Sequence, residues 1–284
     1  MTNVGPLAPV LARPTSSMLM STYARETAEN LEACLASIRS QTVVPDQLVL
    51  VVDGPVGADQ EAVLARFAQD PGEIQLTVLR LPENVGLAAA MNAGLALCTG
   101  MYTMRMDSDD LCEPDRVEKQ LAYAAAHPEI DVVSSWSAEF FDDGSPGMIK
   151  ASPVSHDSIL AALRWRNVLV HPTICVRTAT LRGIGGYRSC FGLLEDYDLY
   201  VRLAQAGAQF HVIPKVLLRM RVSHDQRVRR GGAKYALHEF RFRVEHYRTG
   251  FIGLREFILV TSLYSVFRLV SGRLRGRLYS LART

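Results

Sequence analysis

Apolar and polar positions along this chain alternate between two periods. SMLMS (17–21), QLVLVV (47–52), IQLTVLRL (74–81) and MYTMRM (101–106) are short, nearly unbroken apolar runs of strand length. Between them, ENLEACLASIRSQ, residues 59–69 and LAAAMNAGLALC carry their apolar residues at helical spacing. Strands that alternate with helices in this way predict βαβ units, hence an α/β fold with a mainly parallel central sheet and flanking helices. Later, DVVSSW (131–136), HPTICV (171–176) and FHVIPKVLL (210–218) read as strands, and LEDYDLYVRLAQAG reads as a helix entered through carboxylates.

In a parallel sheet, ligands collect beyond the carboxyl ends of the strands. The first strand ends at Ser21, Thr22 and Tyr23, the second at Asp53 and Gly54, and that of MYTMRM at Asp107. Three polar ends therefore converge on one edge. The last opens RMDSDDLCEP, in which Asp107, Asp109 and Asp110 repel one another unless they are fully solvated or share a cation. Two readings of the Asp107 and Asp109 pair stand side by side: a Mg²⁺ or Mn²⁺ site facing phosphate oxygens, or turn and N-cap chemistry ahead of EPDRVEKQLAYAAA.

Charge adds a division of the chain. The net charge is only +2, yet residues 219–284 hold 15 Lys and Arg against 4 Asp and Glu, so residues 1–218 are acidic overall. Five cysteines without a CxxC pair fit a reducing compartment. The first residues, with three prolines and no sustained apolar run, read as a loose leader (1–16) and not a signal peptide. A boundary near 225 then separates a main domain (17–225) from a basic loop and helical tail (226–284). In that loop Arg227, Arg229 and Arg230 flank Gly-Gly, which suits either a lid whose guanidinium groups clamp a diphosphate or a plain solvated loop. Within the tail, Leu259, Leu263, Val266, Phe267, Val270, Leu274 and Leu278 recur at helical spacing, with arginines along another face. The apolar run is too short to span a bilayer. Such a helix can lie on anionic lipid or pack on protein.

The ordered set MSTYARE (20–26), VVDGP (51–55), ENVGLAAAMNAGL (83–95), RMDSDDLCEPDR (105–116), GGYR (185–188) and EDYDLYVRLAQAG (195–207) resembles the inverting family 2 glycosyltransferases, which have the GT-A fold. The resemblance implies that Thr22, Tyr23 and Glu26 flank the nucleotide, that Asp53 accepts the imide N–H of a uracil-like base, and that Asn84, Gly86 and Asn92 approach the donor. Asp53 read alone is a turn residue, Asn84 a helix cap, and Asn92 a polar helix residue. Asp107 would hold the ribose or reach the metal, Asp109 would ligate Mn²⁺ or Mg²⁺ directly, and His224 would be a further ligand. Arg227 and Arg230 would clamp the diphosphate. Asp110 would support the turn and cap the following helix.

By the same resemblance Asp196 is the base that deprotonates the attacking hydroxyl, and Glu195 orients the loop or the acceptor. Acids at a helix start also have a structural reason, the helix dipole. Asp198 and Tyr200 depart from the bulky aromatic residues common in the family. The implied function is transfer of a sugar from a nucleoside diphosphate sugar, a UDP-sugar, to a glycan or polyprenyl-linked acceptor. It would take place in surface-polysaccharide assembly, in the cytoplasm or peripherally on the cytoplasmic face of the inner membrane. The rival reading is a catalytically inactive sugar-nucleotide-binding or membrane-scaffold protein of the same fold. A carboxylate-lined edge argues against nucleic acid as the partner.

Overall fold

The computed structural model describes residues 13–222 and 233–269. Its first half follows the apolar pattern. Strand β1 (Ser16–Thr22) pairs in parallel with β2 (Gln47–Val52) on one side and β4 (Tyr102–Asp107) on the other, and β3 (Gln75–Arg80) extends the edge beyond β2. The crossovers are helices α1 (Ala28–Arg39), α2 (Ala58–Gln69) and α3 (Leu87–Leu97). In α1, Leu31, Cys34, Leu35 and Ile38 fall at i, i+3, i+4 and i+7, and all four are buried. Its N-cap, Thr27, accepts the Asn30 N–H at 3.1 Å.

Period-two alternation puts the two faces of the sheet into two cores. Leu19, Val49 and Val51 pack on the α3 side, and Met18, Met20, Leu48 and Leu50 pack against α1. Both faces are covered, which is why β2 is apolar at nearly every position.

The second half of the sheet is mixed. Strands β5 (Leu111–Cys112), β6 (Val132–Phe140), β7 (Pro146–Lys150), β8 (Cys175–Arg177) and β9 (Phe210–Arg221) complete the order β3-β2-β1-β4-β8-β6-β9-β5, with β7 beside β6. β8 runs antiparallel between β4 and β6, whereas β6 and β9 are parallel. Helices α4 (Arg116–Ala126), α5 (His156–Leu163), α6 (Thr178–Gly183) and α7 (Glu195–Gln205) lie between these strands in sequence. The segment HPTICV is a strand only in its last part. His171–Thr173 form a 3₁₀ turn, because Pro172 has no N–H for a ladder and Ile174 N donates to His171 O.

Two further helices follow, α8 (Ala233–Arg248) and α9 (Leu254–Leu269). Phe242 of α8 belongs to the same core as β1 and α7, with its ring 4.5 Å from that of Tyr197 and 5.7 Å from that of Phe191. The change in composition near residue 225 is therefore not a change of core. His224, Arg227, Arg229 and Arg230 lie outside the described residues, as do Val270, Leu274 and Leu278.

Candidate active site

Parallel pairing aligns the strand ends. Ser21 of β1 is in register with Asp107 of β4, Thr22 is in register with Val52, and Asp53 N donates to Thr22 O at 2.8 Å. Beyond this edge lies a cavity of about 960 Å³. Tyr23, Glu26, Asp53, Asn84 and Gly86 line it on the side of β1 and β2, together with Asp107 and Asp109. Glu195 and Asp196, from the first turn of α7, line the same cavity. Residues that are far apart in sequence thus share one space.

Asp53 organises the wall near Tyr23. Its Oδ1 accepts the Val85 N–H at 2.8 Å, and its Oδ2 accepts the Gly86 N–H and the Asn84 side-chain amide, both at 3.1 Å. The next residue, Gly54, has φ of +84°, and a Cβ there would come within 2.6 Å of Asn84 N. Only glycine lets the two loops approach this closely. Asn84 ties to Asp53 and does not cap α3, whose N-cap is Gly86. Glu26 accepts from Thr27 N and from the Asn30 side chain, and Ser108 Oγ reaches it at 3.3 Å.

Two expected donor residues sit elsewhere. Thr22 is fully buried and meets Asp53 through its backbone. Asn92 clamps the GGYR segment: its Nδ2 donates to Tyr187 O at 2.9 Å and its Oδ1 accepts the Tyr187 N–H at 2.8 Å. Gly186, at φ of +66°, makes room for that amide, since a Cβ would lie 2.3 Å from Asn92 Oδ1.

The acidic turn is crowded. Carboxylate oxygens of Asp107, Asp109 and Asp110 all lie within 4.8 Å of one another. Asp107 is ion-paired with the buried Arg105. Burial, followed by the charges of Asp107 and Glu26, pushes Asp109 up to about 7. Burial, followed by the charges of Asp107 and Asp109, holds Asp110 well above the usual carboxylate range. Asp110 does not cap α4, as its Oδ1 accepts the Arg221 N–H at 2.8 Å and so anchors the end of β9. Its Oδ2 is buried without a hydrogen-bond partner among the described residues. Hard oxygen donors gathered this closely, with excess negative charge, fit Mg²⁺ or Mn²⁺.

Across the cavity Asp196 is held at both oxygens. Asn167 Nδ2 donates to Oδ2 at 2.8 Å, and the Tyr197 N–H donates to Oδ1 at 2.7 Å. His171 Nε2 meets Tyr187 Oη at 3.1 Å, and burial together with Arg105 holds the imidazole pKa well below its ordinary value.

Two residues further along α7, Asp198 is fully buried. Burial alone would raise its pKa, but hydrogen bonds from His246, Arg188 and Arg202 outweigh this and hold it below the usual range. Arg188 Nε and Arg202 Nε donate to Oδ2 at 3.0 and 2.7 Å, and His246 Nε2 of α8 lies 3.5 Å from Oδ1. Asn167 and Arg105 were not among the sequence-derived candidates. Arg105 does leave a signal, a lone charge inside the apolar strand MYTMRM, whereas Asn167 belongs to no motif.

The model of the family described as Glycosyl transferase family 2 matches residues 17–182. The chain belongs to glycosyl transferase family 2. It is 35% identical over 250 residues to the amylovoran biosynthesis glycosyltransferase AmsE of Erwinia amylovora, covering 87% of this chain and 92% of that one. It is 32% identical over 267 residues to the UDP-Gal:alpha-D-GlcNAc-diphosphoundecaprenol beta-1,3-galactosyltransferase of Escherichia coli, covering 94% and 95%. Among solved structures, S. aureus TarS 1-349 in complex with UDP-GlcNAc superposes with a TM-score of 0.65 at 17% identity, over 82% of this chain and 66% of that one. As a family 2 glycosyltransferase the protein is an enzyme, and its sheet and flanking helices are those of GT-A transferases.

Proposed function

We propose that this family 2 transferase moves a sugar from a UDP-sugar, with inversion, to a hydroxyl of a polyprenyl-linked glycan in the assembly of a bacterial surface polysaccharide. The observation that carries this reading is the placement of the acidic turn and the separately anchored Asp196 in one cavity. The relatives support the substrate classes: one is named for amylovoran biosynthesis, and the other for transfer from UDP-Gal to a diphosphoundecaprenol-linked sugar.

Tyr23 offers an aromatic face to the base, and Asp53 presents a pre-oriented carboxylate to its edge. Asp107 and Asp109 would hold a divalent ion, which when bound supplies positive charge to the departing diphosphate. Asp196 accepts the proton of the acceptor hydroxyl. As the O–H bond breaks, the oxygen bonds to the anomeric carbon, and the carbon–phosphate oxygen bond opens on the opposite face, with UDP taking the electron pair. One displacement of this kind inverts the anomeric centre.

The rest of the assignment concerns place. No helix among the described residues is long and apolar enough to cross a membrane. Ile258, Leu259 and Leu263 of α9 are more than half exposed, a face suited to an anionic membrane surface on the cytoplasmic side.

The test is a panel of nucleotide sugars with Mn²⁺, read by thermal stabilisation and by transfer to a polyprenyl-diphosphate sugar, with wild type beside Asp196→Asn. A UDP-sugar should stabilise both proteins, and only the wild type should transfer. Stabilisation without transfer by either protein would favour the sugar-nucleotide-binding alternative.

A further inference from the structure

The side of the cavity that receives the acceptor is marked by the residue that fixes Asp196. Asn167 holds Asp196 Oδ2, and its neighbour Arg166 lines the same cavity. Several cations line this space, and most are already engaged. Arg105 pairs with Asp107, Lys150 lies 3.1 Å from Glu139, and Arg221 donates to Asp109 O and lies 3.3 Å from Asp142. Arg25 lies two residues after Tyr23 and lines the same cavity at the β1 end. Arg166 is exposed, and its guanidinium has no carboxylate or carbonyl partner among the described residues.

The same cavity also carries exposed aliphatic side chains. Ile149 is 61% exposed and Leu193 is 53% exposed, and both line the cavity with Arg166. Exposed aliphatic side chains at the rim of a polar site cost solvation unless something apolar covers them. A hydroxyl that reaches Asp196 comes from the face opposite the donor diphosphate. Whatever follows the acceptor sugar must then leave the cavity on the Arg166 side.

We infer that Arg166, with Ile149 and Leu193, forms the subsite for the diphosphate and first isoprene units of a polyprenyl-diphosphate-linked acceptor. A guanidinium fork matches phosphate oxygens geometrically, and the two aliphatic side chains cover the start of the lipid. The inference rests on the reading of Asp196 as the residue that serves the acceptor.

The test uses farnesyl diphosphate as probe, titrated by calorimetry into the full chain in saturating UDP and Mn²⁺, so that the donor site is filled. Farnesyl diphosphate should bind the wild type under these conditions. Arg166→Ala should weaken that binding about 10-fold or more, with UDP affinity unchanged, and Arg166→Lys should fall between. Farnesol and inorganic pyrophosphate should each bind more weakly than farnesyl diphosphate, which separates lipid and free-anion contributions. Equal binding by Arg166→Ala and wild type, or displacement of farnesyl diphosphate by UDP, overturns the subsite. A separate arm measures UDP and Mn²⁺ alone: affinity that Asp109→Asn leaves unaltered overturns the reading of the cavity on which the subsite rests.

Discussion

The side-chain amide of Asn167 donates to Asp196 Oδ2 at 2.8 Å, fixing one carboxylate oxygen from a loop 29 residues earlier in the chain. With the Tyr197 N–H on the other oxygen, the carboxylate has a single orientation toward the cavity. Hydrogen bonds donated to a carboxylate favour its charged form. Asn167→Ala should therefore release one carboxylate oxygen and lower kcat/KM, while UDP affinity stays unchanged. Asp196→Asn should lower kcat by about 10²–10⁴-fold, the range typical of a lost general base.

Asp109 predicts a pH dependence that a divalent ion reverses. Its pKa in the folded chain is pushed up to about 7, against about 3.9 for an unfolded aspartate. Between these values the folded state binds more protons than the unfolded one, so Asp109 makes stability fall as pH rises from about 4 to 7. Mn²⁺ competes with the proton for the same oxygens, and the rise in Tm that it produces should be larger at pH 8 than at pH 6. Asp109→Asn should abolish that difference, as read by thermal unfolding with and without Mn²⁺.

At Asp198 the sign is opposite. Its pKa is held below the usual range, so its contribution is present above the unfolded value near 3.9 and is lost as pH falls through the folded one. Asp198→Ala leaves Arg202, itself only 12% exposed, without its carboxylate. Loss of one partner of a buried charge cluster should cost roughly 3 kcal/mol in urea unfolding at neutral pH.

Gly54→Ala should loosen the nucleotide wall. The added Cβ meets Asn84 N at 2.6 Å, and φ of +84° is strained for alanine. A cost of about 1–3 kcal/mol follows, together with a raised KM for the donor. Measured kcat at saturating donor should change less than KM.

The exposed face of α9 has its own test. Leu259→Asp combined with Leu263→Asp places charge on residues that are 51% and 68% exposed, so the fold is preserved. Sedimentation with anionic vesicles should be lost, while activity on a soluble acceptor is kept.

Much of the fold was legible because each strand of the first half is a continuous apolar run with its helix next in sequence. QLVLVV and ENLEACLASIRS could hardly be read otherwise. The second half was harder. PGMIK of β7 carries a proline and a glycine and gains its strand geometry only from pairing with β6. HPT was misread because an apolar stretch signals burial without saying whether the chain is extended. At the site, the three strand ends and the two acids of α7 were legible as local motifs. The roles of Asn92, Asn167 and Asp110 were not, since each is fixed by a partner 29 to 111 residues away. Asp198 looked like a departure from an aromatic pattern. Its meaning lies in His246, which no local pattern connects to it.

Synthesis on the ribosome runs from β1 toward α8, and the parallel half of the sheet can pair early because its contacts are made within the first 107 residues. The helix that carries Asp196 is in a different position, because Phe242 and His246 must leave the exit tunnel before its inner face is covered and its buried acid fully compensated. A nascent chain therefore completes the Asp53 wall of the cavity well before the inner face of α7 is sealed and Asp198 fully compensated.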